Sequence, residues 1–167
     1  MRVFICAALT ADGFIGRSSD HIATAWTSDE DKKFFTRITK EAGVIVWGLN
    51  TFKTVGRALP GRRTIVYARN SEFTPPPGVE VTKEAPSDLI KRLEREGATQ
   101  LAVCGGTQIY TMFMKAGIVD DLYLNVHSVL FGSGLTLFND DLRNNLRLVS
   151  VDQLGPDTVS IHYTVVD

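Results

Sequence analysis

Strand-like apolar runs and helix-like stretches take turns along this chain, and that alternation constrains its fold more than any other feature. Residues 3–9 form a short apolar run, and after a Gly-containing loop residues 28–42 show helical spacing. Residues 43–47 are a second run closed by Gly48. A short helix over 51–55, a Pro60-Gly61 turn and a strand over 64–67 come next. Residues 74–78 are a proline-rich surface loop. Pro86 opens a helix with Leu89, Ile90 and Leu93 on one face and Gly97 past its end. Residues 101–104 predict a buried strand. Gly105-Gly106 then opens a helix with Ile109, Met112, Phe113 and Ala116 on one face. Leu122, Leu124 and Val126 alternate as a strand, and a hairpin turning at Gly155-Pro156-Asp157 closes the chain. Such a sequence predicts one α/β domain over 1–167 in three layers. Its central mixed sheet is expected to be mostly parallel, with an antiparallel C-terminal edge hairpin. Ligands of such sheets sit outside the carboxyl ends of the strands.

Composition narrows the function classes. A chain of 167 residues with 44% hydrophobic and 22% charged residues reads as a globular protein able to bury a core. The net charge of −1, without a basic block, argues against nucleic acid as a partner. No stretch reaches membrane-spanning length, so no membrane partner is expected. Arg2 and the run after it are too short for a secretory leader. Cys6 and Cys104 sit in apolar runs, as buried reduced thiols do, and the cytoplasm is the expected setting. His21, His127 and His162 are scattered without ligand spacing, and no metal site is expected. No exposed apolar stripe or heptad distinguishes a monomer from a homodimer.

Asp31 is an acid at the centre of an oily helix face. At 100° per residue it shares one stripe with Phe34, Phe35, Ile38 and Ala42. Burying a carboxylate without a partner is unfavourable, so an inward acid implies a ligand or a polar partner. Ser28, three residues earlier, equally makes Asp31 part of a capping box. On the residues alone both roles stay open. Two strand-to-helix junctions, Gly48-Leu49-Asn50-Thr51 and Cys104-Gly105-Gly106-Thr107, are suited to anions, with free amide donors at a helix start. Ordinary turn chemistry gives the same pattern. Arg62, just past a Leu59-Pro60-Gly61 turn, is placed to hold a carboxylate or phosphate, and Arg69 follows a strand.

The stretch Gly48-Leu49-Asn50-Thr51-Phe52-Lys53-Thr54-Val55-Gly56-Arg57-Ala58-Leu59-Pro60-Gly61-Arg62 closely resembles the signature of dihydrofolate reductases. Three further matches fall in order. Ala7-Ala8-Leu9 with Gly13-Phe14-Ile15-Gly16 resembles the family's first strand and flexible active-site loop. Trp26, Asp31 and Phe35 resemble its tryptophan, its catalytic acid and a wall of its pterin pocket. Val103-Cys104-Gly105-Gly106-Thr107-Gln108-Ile109-Tyr110 resembles its double-glycine cofactor segment.

The resemblance implies reduction of 7,8-dihydrofolate with NADPH as cofactor, Asp31 and Trp26 being catalytic. It places Cys6, Ala7, Phe35, Leu59, Arg62, Cys104 and Asn125 around the substrate. Ala8, Ile15, Gly16, Gly48, Leu49, Asn50, Thr51, Arg69, Gly105, Gly106, Thr107, Gln108, Ile109 and Tyr110 fall around the cofactor. Four departures stand out. Leu49 replaces a common basic residue, Lys32 an apolar one, Asn125 a threonine beside the acid, and Ala25 a proline. The segment Val129-Leu130-Phe131-Gly132-Ser133-Gly134, ending in Leu137-Phe138, instead resembles the reductase domain of riboflavin biosynthesis. That resemblance implies, as an alternative, an NADPH-dependent pyrimidine reductase of the same fold.

Overall fold

The computed structural model describes residues 1–69 and 72–166. At its centre lies β1 (Arg2–Thr10), whose apolar run is buried on both faces. Val3, Ile5 and Ala7 enter one core and Phe4 and Cys6 the other. That two-sided burial explains why the run shows no polar alternation.

The remaining elements follow the expected order. α1 (Asp29–Ala42) starts where the Ser28 hydroxyl accepts the Asp31 amide and ends at Gly43, whose φ of 75° few other residues adopt. β3 (Val44–Gly48) therefore begins one residue later than its apolar pattern suggests. α2 (Leu49–Val55) begins two residues earlier than expected, because Gly48 serves as its N-cap. β4 (Arg63–Tyr67), α3 (Pro86–Arg95), β6 (Gln100–Val103), α4 (Thr107–Lys115) and β7 (Asp121–His127) match their patterns. So do the hairpin strands β9 (Asn145–Gly155) and β10 (Thr158–Val166).

Three strands lie outside the expectations. β5 (Val79–Thr82) is an edge strand pairing only with β4, so it tolerates Glu80, which takes ion pairs from Arg63 and Arg92. β2 (Phe14–Gly16) and β8 (Leu135–Thr136) are too short to leave a period-two signal, and they pair only with each other. The resemblance implied a flexible loop at Gly13–Gly16; here Phe14–Gly16 is held in this small sheet.

The main sheet has eight strands in the order β5-β4-β3-β6-β1-β7-β10-β9, parallel except where β10 meets β7 and β9. α1 and α2 cover one face through Ile38, Ala42 and Phe52. α3 and α4 cover the other through Leu89, Leu93, Ile109 and Phe113. Side chains like Leu89 and Leu93, fully removed from water, each stabilise by roughly 1.5–3 kcal/mol. Because β6 inserts between β3 and β1, the two glycine junctions become neighbours at the carboxyl ends of the strands. No helix among the described residues is long and apolar enough to cross a membrane.

Candidate active site

Asp31 projects from the first turn of α1 and is 7% exposed. Its backbone N–H donates to Ser28 Oγ at 3.1 Å, while its Oδ1 accepts from Asn125 Nδ2 at 2.6 Å. Capping and site roles thus coexist, one using the backbone and the other the side chain. Burial pushes the Asp31 carboxyl above the usual carboxylate range, against the opposing influence of the Asn125 hydrogen bond and the charges of His127 and Lys32. The amide at position 125 takes up the expected hydrogen bond to the acid.

The Asp31 side chain forms part of the wall of a cleft of about 1360 Å³. Single-ligand pockets measure roughly 300–1,000 Å³, so this one has room for two molecules side by side. On the α1 side the wall continues through Lys32, Phe35, Leu59 and Arg62. The Arg62 guanidinium is held at the rim, its Nη1 donating to Thr39 Oγ1 at 2.9 Å and its Nε to the Pro60 carbonyl at 3.1 Å. Cys6 lies midway along β1 and Cys104 just past the end of the neighbouring β6, and both line the cleft; burial pushes both thiols up, so they stay protonated.

The opposite wall is backbone. The Gly48 N–H donates to the Gly105 carbonyl at 2.6 Å, locking the two junctions together, and the Gly105-Gly106 peptide is cis. A Cβ on Gly48 would come within 2.9 Å of Ile109, and one on Gly106 within 2.9 Å of Thr51 Oγ1. These glycines are thus required by the close packing of the junctions themselves, as well as by any ligand above them. Leu49, Asn50, Thr51, Arg69, Gln108, Ile109 and Tyr110 complete this side with Ala8, Ile15 and Gly16. The Thr107 hydroxyl is engaged with the Thr136 carbonyl at 2.7 Å, and the Tyr110 hydroxyl donates to the Cys6 carbonyl at 2.9 Å. A dinucleotide needs close backbone approach, a cation and an apolar slot. The cleft residues that could offer these three are Gly105-Gly106, Arg69 and the Ala8–Ile15 wall.

Three expected residues lie outside the cleft wall. The Ala7 side chain points to the other face of the sheet, into the core around Val3 and Ile5, because side chains alternate along β1. Asn125 stands behind Asp31. Trp26 turns its indole to His127 and Phe131, at 5.2 and 5.3 Å between ring centroids. The sequence reading missed Tyr67, His21 and the Gly134–Thr136 segment, which all face the cleft, and His127 behind it. The position of His127, two residues after Asn125 on one strand, was the available signal for its proximity to the acid.

Comparison with known proteins bears on the family and the fold. The family model described as dihydrofolate reductase matches residues 2–160. The dihydrofolate reductase of Bacillus subtilis (strain 168) is 32% identical over 150 residues, covering 87% of this chain and 80% of that protein. Among solved structures, a pyrimidine reductase-like protein of Corynebacterium diphtheriae superposes with a TM-score of 0.82 at 16% identity, covering 99% of this chain and 92% of that one. Enterococcus faecalis dihydrofolate reductase, complexed with NADP(H) and RAB-propyl, superposes with a TM-score of 0.75 at 23% identity, covering 99% of this chain and 97% of that one. At these identities the superpositions speak for the fold.

Proposed function

Because the chain belongs to the dihydrofolate reductase family, we propose that it reduces 7,8-dihydrofolate to tetrahydrofolate at the expense of NADPH. The observation that carries this reading is the buried Asp31 carboxylate, braced by Asn125 and turned into the cleft wall opposite the glycine junctions. A carboxylate fork matches a ring that presents an amino group beside a ring N–H, the donor pair of a pterin. Asp31 orients that ring and, with its proton affinity raised by burial, holds a proton closer to neutral pH than an exposed carboxyl does. Phe35 and Leu59 bound the ring's apolar faces, and Arg62 at the rim takes the carboxylate of the folate tail.

NADPH, when bound, supplies the hydride. Ala8, Ile15 and Gly16 border its nicotinamide, Gly105, Gly106 and the start of α4 its phosphates, and Arg69 its 2′-phosphate. Leu49 offers no charge there, which leaves the discrimination against NADH to Arg69.

The test is the loss of NADPH absorbance on adding dihydrofolate. Acceleration is expected; its absence in a protein that still binds NADPH overturns the reading. A second reading is favoured by one observation: Gly134, Leu135 and Thr136, from the segment resembling riboflavin-type reductases, reach the cleft, where Lys32 and Arg57 join Arg62 as cations. Turnover of a ribosylamino-pyrimidine phosphate in place of dihydrofolate selects that reading.

A further inference from the structure

We propose that β9 is an interface for a second copy of this chain, pairing antiparallel with its own equivalent about a two-fold axis so that two main sheets join edge to edge. The inference is independent of the reaction proposed above, because no residue of β9 lines the cleft.

The two edges of the main sheet are built differently. β5 is four residues long, and its Glu80 is held in ion pairs with Arg63 and Arg92. A short, charged edge of that kind resists pairing with another chain. β9, at the other edge, is 11 residues long and contains neither proline nor lysine. Its outer side presents a row of backbone amides and carbonyls with no strand beside it. Apolar surface is concentrated here as well. Of six large hydrophobic side chains exposed among the described residues, four are on this strand: Leu146, Leu148, Val149 and Val151, between 41% and 56% exposed.

Pairing with β10 fixes how these side chains are arranged. Leu146, Leu148 and Val151 stand opposite Val165, Tyr163 and Ile161, so all three share the sheet face that α3 and α4 cover farther in. Their spacing along the chain, two residues and then three, breaks the period of a strand. A bulge at Val149 absorbs the extra residue and returns Val151 to the face of Leu148. Arg147, Ser150 and Asp152, opposite Thr164, His162 and Ser160, occupy the other face.

Charge identifies the partner as a second copy. Among the described residues Arg147 has no acid partner, and Asp152 is met only by the Ser150 hydroxyl, at 2.9 Å. The two lie roughly 15 Å apart at about 3.3 Å per residue, too far to pair within one chain. A two-fold axis at the Val149 bulge, perpendicular to the sheet, sets Arg147 of each copy opposite Asp152 of the other, and Leu148 opposite Val151. In each of these pairs both side chains lie on one face, as antiparallel pairing requires. Bulge meets bulge at the centre, which leaves both arms regular. Because such a contact repeats every pair, one strand supplies two ion pairs and two apolar pairs.

Sedimentation velocity of the full chain without ligand, from about 1 to 100 µM, tests this. The parent is expected to move toward twice the chain mass as concentration rises. Val151→Lys puts a cation opposite Leu148 and should leave only monomer. Arg147→Asp faces Asp152 with a like charge at two places and should raise the dissociation constant roughly tenfold or more. Asp152→Arg should do the same. Combining the two charge variants reverses both signs and should restore the parental constant, which a loss of folding cannot imitate. All three positions are exposed, and an unchanged thermal midpoint shows that each variant is folded. A parent that stays monomeric throughout that range overturns the proposal, whether or not β9 captures a strand of some other protein. A dimer that survives Val151→Lys lies on another surface and overturns it equally. A dimer indifferent to the single charge variants, or not recovered by their combination, overturns the pairing of Arg147 with Asp152.

Discussion

The two walls of the cleft are held in opposite ways. On the acid side, side chains are held by other side chains: Asp31 by Asn125, Arg62 by Thr39, and Trp26 edge-on to His127. On the junction side, backbone meets backbone, and what matters is the absence of side chains at Gly48 and Gly106. The first wall carries charge in a dry setting, where one group changes chemistry. The second carries shape, where one methyl changes fit. Replacing the acid of the first wall is therefore expected to act on turnover, whereas replacing Arg62 at its rim or the glycines of the second wall is expected to act on binding.

The largest effect expected is on turnover. Asp31→Asn keeps the shape and an acceptor for Asn125 but removes the proton-holding oxygen, and turnover should fall by on the order of 10²–10⁴. Near-parental turnover at neutral pH would sink the contrast. Next comes Gly106→Ala, which brings a methyl against Thr51 Oγ1 and should weaken NADPH binding by about 1–3 kcal/mol, read by fluorescence titration. The double variant with Thr51→Ala should recover most of that loss, because the clash is pairwise. If it recovers nothing, the glycine serves the ligand alone.

Arg62→Ala should raise the KM for dihydrofolate by roughly 10- to 100-fold with kcat little changed, as loss of a charged hydrogen bond made equally in ground and transition states does. A change confined to the KM for NADPH would place the arginine on the wrong ligand. Arg69 is exposed and its contact screened, so Arg69→Ala should change the NADPH-over-NADH preference by only a few-fold. The smallest effect is on stability without ligand. A carboxyl whose pKa is raised on folding holds its proton more tightly in the native state, so stability falls as pH rises from its unfolded to its folded value. Asp31→Asn should therefore raise the thermal midpoint at neutral pH and leave it unchanged in acid, below both values. A lower midpoint at neutral pH would mean that the Asn125 bond outweighs burial.

Much of this was legible along the chain. The runs that became β1, β3 and β6 are buried on both faces and so contain little but apolar residues, while β7 showed itself by the alternation of Leu122, Leu124 and Val126. Both Asp31 roles were visible, since capping and the helical stripe are local patterns. β5 was hidden because an edge strand can carry charge, and β2 and β8 because two or three residues have no period. The Ala7 side chain was assigned to the cleft by motif, where the pleat turned it away. His127 was set aside as isolated, because its neighbours are near only through strand pairing and the docking of α1.

The sequence by itself determined the alternating architecture, the inward acid and the glycine junctions, because each follows from propensity, periodicity and capping within a few residues. Tertiary structure alone decided which of them meet. The insertion of β6 between β3 and β1 joins Gly48 to Gly105, and β7 beside β1 carries Asn125 to Asp31 across 94 residues of chain. Contacts of that span leave no local signature, since they depend on strand order and on the face each side chain takes.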